Sequence, residues 1–111
     1  MRDDSERMRD IQEAIEKIDK YSMRGKMAFF EDELIQTWVI HHLQIIGEAS
    51  RATSEIFKAK YPYILWVKIA DFRNLIVHEY FRVNLNLVWK IVENDLPKLK
   101  QQINDILENI S

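Results

Sequence analysis

Apolar residues recur along this chain at intervals of three and four, the spacing that gathers them on one side of an α-helix. Ile11, Ile15, Ile18 and Ser22 make such a stripe, with Met8 beside it. Asp3, Asp4 and Ser5 offer capping oxygens and Gly25 suits an end, so a first helix is expected over residues 4–23. A second is expected over 31–58, where Glu31, Asp32 and Glu33 match the positive end of the helix dipole. It carries two stripes: Leu34, Trp38, Ile45, Ala49, Ala52 and Ile56, then Ile35, Val39, Ile46 and Phe57 roughly 100° further round. A helix apolar over so wide an arc is expected to bury two faces, one in the core and one against a partner chain. Gly47, inside that helix, is expected to let another helix approach closely.

Pro62 in KAKYPY disfavours helical geometry at Tyr61 and breaks the pattern. A third helix is expected from Ile64 to Glu79, with Leu65, Ile69, Phe72 and Ile76 facing the core. FRVNLN follows as a turn, with Asn84 or Asn86 capping a fourth helix. Pro97 falls inside that helix and should kink or restart it, with Asp95 as a new cap. Amphipathic helices joined by short connections define an all-α, antiparallel bundle, and 111 residues suffice for a single domain, 1–111.

Composition narrows the chemistry. With no cysteine there is no disulfide, thiolate nucleophile or Cys-ligated zinc. The opening MRDDSERMRD lacks the apolar run of a secretory leader, and no stretch approaches the ~18 apolar residues of a membrane helix. A cytoplasmic location without membrane attachment is the expectation. A formal charge of −2 argues against wholesale coating of nucleic acid, though not against a local phosphate site.

One stretch stands apart. RNLIVHEY, residues 73–80, holds an arginine, an asparagine, a histidine, a glutamate and a tyrosine. On an ideal helix with Leu65 at zero, Arg73 lies near about 80°, Asn74 near about 180° and His78 near about 220°. They flank a face turned from the core, with apolar Trp66, Val67, Ala70 and Val77 between them. A second copy would cover that face across a two-fold axis, so the chain is expected to form a homodimer with a shared cleft. Arg73 offers a fork of donors matching a phosphate, His78 moves protons near neutral pH, and Asn74 can orient a ribose or base edge. No acidic cluster suited to magnesium lies nearby, so neither a metal nor a cofactor is expected. RNA cleavage by its own 2′-hydroxyl fits this set, with His78 transferring a proton and Arg73 stabilising charge. Lys68 and Arg82, with Lys58 and Lys60, are candidates for an RNA-binding rim. His41 and His42 lack a ligand partner four residues away, and the three tryptophans are expected to pack rather than stack on bases. Glu48 is a candidate partner for Arg73.

RNLIVHEY resembles the Arg-x4-His-x-Tyr motif of the HEPN superfamily, specifically the HepT-like toxins. The resemblance extends to IIGEAS at 45–50, the Pro62 to Trp66 spacing, IADFRN, and VWKIVENDLPKL at 88–99. It implies a dimeric bundle of four or five helices with the motif in an interfacial cleft. It implies a metal-independent endoribonuclease, the toxin of a type VII-like toxin–antitoxin pair. The antitoxin partner would be a minimal nucleotidyltransferase that transfers AMP to the motif tyrosine, here Tyr80. By the same resemblance Arg73 and His78 are catalytic and Asn74 supports them. AMP would place bulk and negative charge beside His78 and repel RNA. Asp71 and Arg82 stand where the family often has glycine, and Asn84 where it often has aspartate. Asp71 either orients the imidazole or repels phosphate, while Arg82 adds a phosphate contact. The alternative is a non-catalytic helical dimer that binds a nucleotide or a nucleotidyltransferase.

Overall fold

The computed structural model describes residues 3–72, 74, 77–79 and 82–110, and at 77–79, 82 and 83 it describes the backbone alone. The fold is all-α, as expected, and its frame is three long helices: α1 (Asp4–Ser22), α3 (Glu33–Ala52) and α7 (Leu96–Ile110). In α1, Met8, Ile11 and Ile18 are fully buried, so the predicted stripe is the core stripe. Asp3 caps it by accepting a 2.8 Å bond from the Glu6 N–H. Two sets of side-chain links fix the helix directions. Asp4 meets Ser54 while Trp38 reaches the Lys17 carbonyl, so α1 and α3 are antiparallel. Gln12 meets Asn104 while Asp19 meets Lys100, so α1 and α7 are antiparallel too.

The chain between α1 and α3 forms a short α2 (Lys26–Glu31), which the spacing did not predict. Gly25, at φ 97°, makes the left-handed turn that lets α2 start after only three intervening residues. Phe29 on α2 is fully buried and packs at 5.3 Å on Trp89. Asp32 then caps α3 through the Leu34 N–H at 2.9 Å.

The expected helix over 31–58 is two helices. Thr53 turns its hydroxyl back to the Ala49 carbonyl at 2.8 Å, and Ser54 opens α4 (Glu55–Lys60) by accepting from the Phe57 N–H. Two adjacent hydroxyl residues offered the backbone local bonds that compete with the helix. Of the two α3 stripes, Ile35, Val39 and Ile46 are core. Leu34 and Ile56 of the other stripe are exposed, so part of it is uncovered in the single chain.

The third predicted helix departs furthest from expectation. Helical structure begins at Trp66, and α5 (Trp66–Ala70) is only five residues long. Trp66, Ile69 and Phe72 face the core, while Leu65 is 60% exposed. Val77–Glu79 (β1) and Arg82–Val83 (β2) are extended and pair antiparallel, Val77 opposite Val83 and Glu79 opposite Arg82. The run LIVHEYFRV is rich in β-branched and aromatic residues, which favour an extended chain over a helix.

Asn84 caps α6 (Leu85–Lys90) through the Leu87 N–H at 3.1 Å, as predicted. As expected, the helix restarts at Pro97: α7 begins at Leu96, one residue before it. The turn before it, Ile91–Asp95, widens into π geometry, with the Leu96 N–H bonded to the Ile91 carbonyl. In an α-helix the proline ring would press on the carbonyl four residues back, and the wider turn relieves that contact. Asp95 therefore lies within a helical run instead of capping one.

Candidate functional site

The motif is entered from the C-terminal end of α5. So short a helix has little stability of its own and depends on its neighbours. Gly47 of α3 provides one support: a Cβ there would stand 3.2 Å from the Ile69 carbonyl oxygen, so any larger residue would push the two backbones a few tenths of an ångström apart. Ser50 donates to the Trp66 carbonyl at 3.4 Å, and Arg51 donates from Nη2 to the Ala70 carbonyl at 3.0 Å. From the other side, Lys68 forms a 3.0 Å ion pair with Asp95. Lys68 is thus engaged in holding α5 to the π turn, although the pair is partly exposed and of modest strength.

Asp71 ends α5. Its N–H bonds to the Val67 and Lys68 carbonyls, and its Oδ1 accepts a 2.7 Å bond from Asn74 Nδ2. The two residues expected to support catalysis are therefore joined directly. Tying up one carboxylate oxygen on Asn74 fixes the amide. Asp71 also borders a cleft of about 570 Å³, together with Arg51, Glu55, Lys58 and Val67.

Arg73 and Tyr80 lie outside the described residues, as does any pairing of Glu48 with Arg73; Glu48 itself is exposed. The backbone of His78 lies in β1, so the helical angle assigned to it does not hold. Arg82, in β2, is placed by its backbone alone, two chain positions before the Asn84 cap.

The remaining aromatic and histidine expectations can be followed in detail. Each indole N–H has a protein acceptor: Trp38 the Lys17 carbonyl, Trp66 the Tyr61 carbonyl and Trp89 the Glu93 carboxylate. These rings pack, as expected. His42 is buried, and its Nδ1 donates to the Trp38 carbonyl at 2.7 Å. No cluster of three His, Asp or Glu able to hold a metal occurs among the described residues. Burial pushes the His42 pKa below its ordinary 6.5, opposed only in part by the bond to Trp38. The folded chain therefore favours the neutral ring, while the unfolded chain takes up a proton below pH 6.5. This contribution to stability is complete above that pH and is lost as pH falls through the folded pKa. NMR titration should place the His42 midpoint below 6.5, and His42→Gln should lessen the acid destabilisation; a midpoint at or above 6.5 would contradict this.

Gly47, Ser50 and Arg51 share one face of α3, and only Gly47 was singled out from sequence. The i, i+3, i+4 spacing was the available signal.

A family model described as ribonuclease HepT-like matches residues 11–106, nearly the whole chain. The chain belongs to the HepT-like ribonuclease family. It is 38% identical over 101 residues to a Methanocaldococcus jannaschii protein named "Gamma-glutamylcyclotransferase and putative RNase", covering 90% of this chain and 46% of that one. It is 39% identical over 94 residues to the "Probable ribonuclease HepT" of Thermococcus cleftensis, covering 84% of this chain and 86% of that one. A second Methanocaldococcus jannaschii protein, a "Putative RNase", is 40% identical over 75 residues, 68% of this chain and 69% of its own length. The chain thus spans about half the length of the first relative and most of the other two. No solved structure matches it. Among the described residues no helix is long and apolar enough to cross a membrane.

Proposed function

We propose that this chain is a metal-independent endoribonuclease, acting as a homodimer and serving as the toxin of a toxin–antitoxin pair. The observation that carries the reading is the family match over 11–106, which spans Arg73, Asn74, His78 and Tyr80 in the order the HEPN motif requires. The bond between Asp71 and Asn74 at the head of the motif supports it. So do the ribonuclease names of the relatives. Exposed Leu34 and Val67 favour a second copy as cover.

In this mechanism His78 takes the proton of a ribose 2′-hydroxyl as its oxygen attacks the adjacent phosphorus. The bond from phosphorus to the 5′-oxygen breaks, and that oxygen gains a proton. Arg73 balances the charge that grows on the phosphoryl oxygens. The products are a 2′,3′-cyclic phosphate and a free 5′-hydroxyl. A minimal nucleotidyltransferase silences the site by moving AMP onto the Tyr80 hydroxyl, releasing diphosphate if ATP is the donor. Purified protein is expected to cut RNA in EDTA and leave cyclic phosphate ends; a requirement for magnesium would overturn the mechanism. RNA binding without any cutting would select the non-catalytic module instead. Co-expression with the nucleotidyltransferase should add the mass of one AMP at Tyr80 and abolish cutting, and an unmodified Tyr80 would remove the antitoxin half of the reading.

A further inference from the structure

We infer that Arg51 is a positioning residue for this reaction: with Gly47 and Ser50 it forms a clamp on α3 that fixes the end of α5 from which the catalytic motif departs. The inference rests on the ribonuclease reading above and adds a residue outside the motif to it.

Three contacts made by one face of α3 fall on three backbone carbonyls of α5. Ser50 Oγ donates to Trp66 O at 3.4 Å, Arg51 Nη2 donates to Ala70 O at 3.0 Å, and Gly47 leaves room for Ile69 O, 3.2 Å from where a Cβ would be. Carbonyls at the end of a helix have no partner within it. A guanidinium on the last of them supplies a charge-assisted bond where the helix dipole is negative. Backbone acceptors make the clamp insensitive to the side chains of α5 and sensitive to its path.

That path leads straight into the site. Ala70 is followed by Asp71, whose N–H bonds back to Val67 and Lys68 and whose carboxylate holds Asn74. Arg73 lies in sequence between Asp71 and Asn74. Release of the Ala70 carbonyl lets the last turn of α5 fray, and the Asp71–Asn74 pair moves with it. A displacement of about 1 Å at a reacting group costs about a hundredfold in rate.

Charge argues against Arg51 as a phosphate contact. Among the described residues the cleft it borders carries Lys58 and Arg51 but also Glu55 and Asp71, so these four charges cancel. Four charges that cancel give little attraction for a polyanion.

The test compares full-length wild-type protein with Arg51→Met and Arg51→Lys on a defined RNA oligonucleotide. Arg51→Met is expected to lower kcat by about tenfold to a hundredfold with KM and its salt dependence unchanged. Arg51→Lys keeps a donor for the Ala70 carbonyl and should recover most of that loss. A raised KM with a shallower salt dependence and intact kcat would make Arg51 a phosphate contact and overturn the proposal. So would a loss of activity that follows a fall in the unfolding midpoint. Hydrogen exchange gives a readout that needs no activity: in Arg51→Met the Asp71 amide should exchange faster while α1 and α7 stay protected. If the wild-type protein cuts no RNA, the ribonuclease reading fails on its own. Exchange then decides the clamp, and an Asp71 amide unchanged by Arg51→Met overturns it.

Discussion

His78→Ala is expected to lower RNA cleavage by about a hundredfold to ten-thousandfold, the range that a positioned general acid–base supplies. The unfolding midpoint should stay near the wild-type value, because α1, α3 and α7 supply most of the buried core among the described residues. The assay is cleavage of an RNA oligonucleotide in EDTA, read as initial rate and as end chemistry. Retention of wild-type rate in His78→Ala would remove His78 from the mechanism. The effect should reside in kcat: a neutral imidazole contributes little to holding a polyanion, so KM for RNA should move far less. Arg73→Ala should differ, since a guanidinium binds phosphate in the ground state as well as in the transition state, and losing it should raise KM and lower kcat together.

How far these residues could be anticipated depends on which interactions place them. The long helices α1, α3 and α7 are legible because each carries an unbroken stripe at three- and four-residue spacing. For α1 the predicted Met8, Ile11, Ile15 and Ile18 are all buried; Ala14 joins them and Ser22 is half-buried. Short elements are less legible, because local hydrogen bonding decides them. Thr53 and Ser54 divide one expected helix into α3 and α4 with two hydroxyl bonds, and Gly25 introduces α2 with one left-handed turn. Pro97 reads as a break, and the break takes the form of a π turn before it. That outcome depends on packing, for Asp95 of the π turn is tied to Lys68 on α5.

The candidate site divides in the same way. Asp71, Asn74 and the glycine at 47 are legible from spacing and from the resemblance. The Asp71–Asn74 bond at 2.7 Å agrees with a separation of about one helical turn. His78 was identified by type but not by geometry, because a helical projection cannot apply to a residue in β1. Arg51 and Ser50 share a helix face with Gly47, but that spacing does not show what they bind. Their partners are backbone carbonyls 19 and 16 residues away, and a carbonyl leaves no mark in the side-chain pattern.

Phe72→Ala is expected to destabilise the fold by about 3–5 kcal/mol, the usual cost of truncating a buried aromatic ring. Phe72 is 1% exposed and lines one pocket with Ile69 of α5 and Leu99 of α7. It is the core residue that directly precedes the motif. A domain of this size is held by only about 5–15 kcal/mol, so a large part of the total would be lost. Urea unfolding followed by circular dichroism measures it directly. Leu65→Ala is the matched comparison, since both residues sit on the apolar stripe read from sequence, yet Leu65 is 60% exposed. Its truncation should change stability by no more than about 0.5 kcal/mol, as for other surface positions. Equal losses at the two positions would restore the helical stripe that begins at Leu65 and refute the start of α5 at Trp66. A large loss at Phe72 alone places the anchor of the chain that enters the motif at the residue before Arg73.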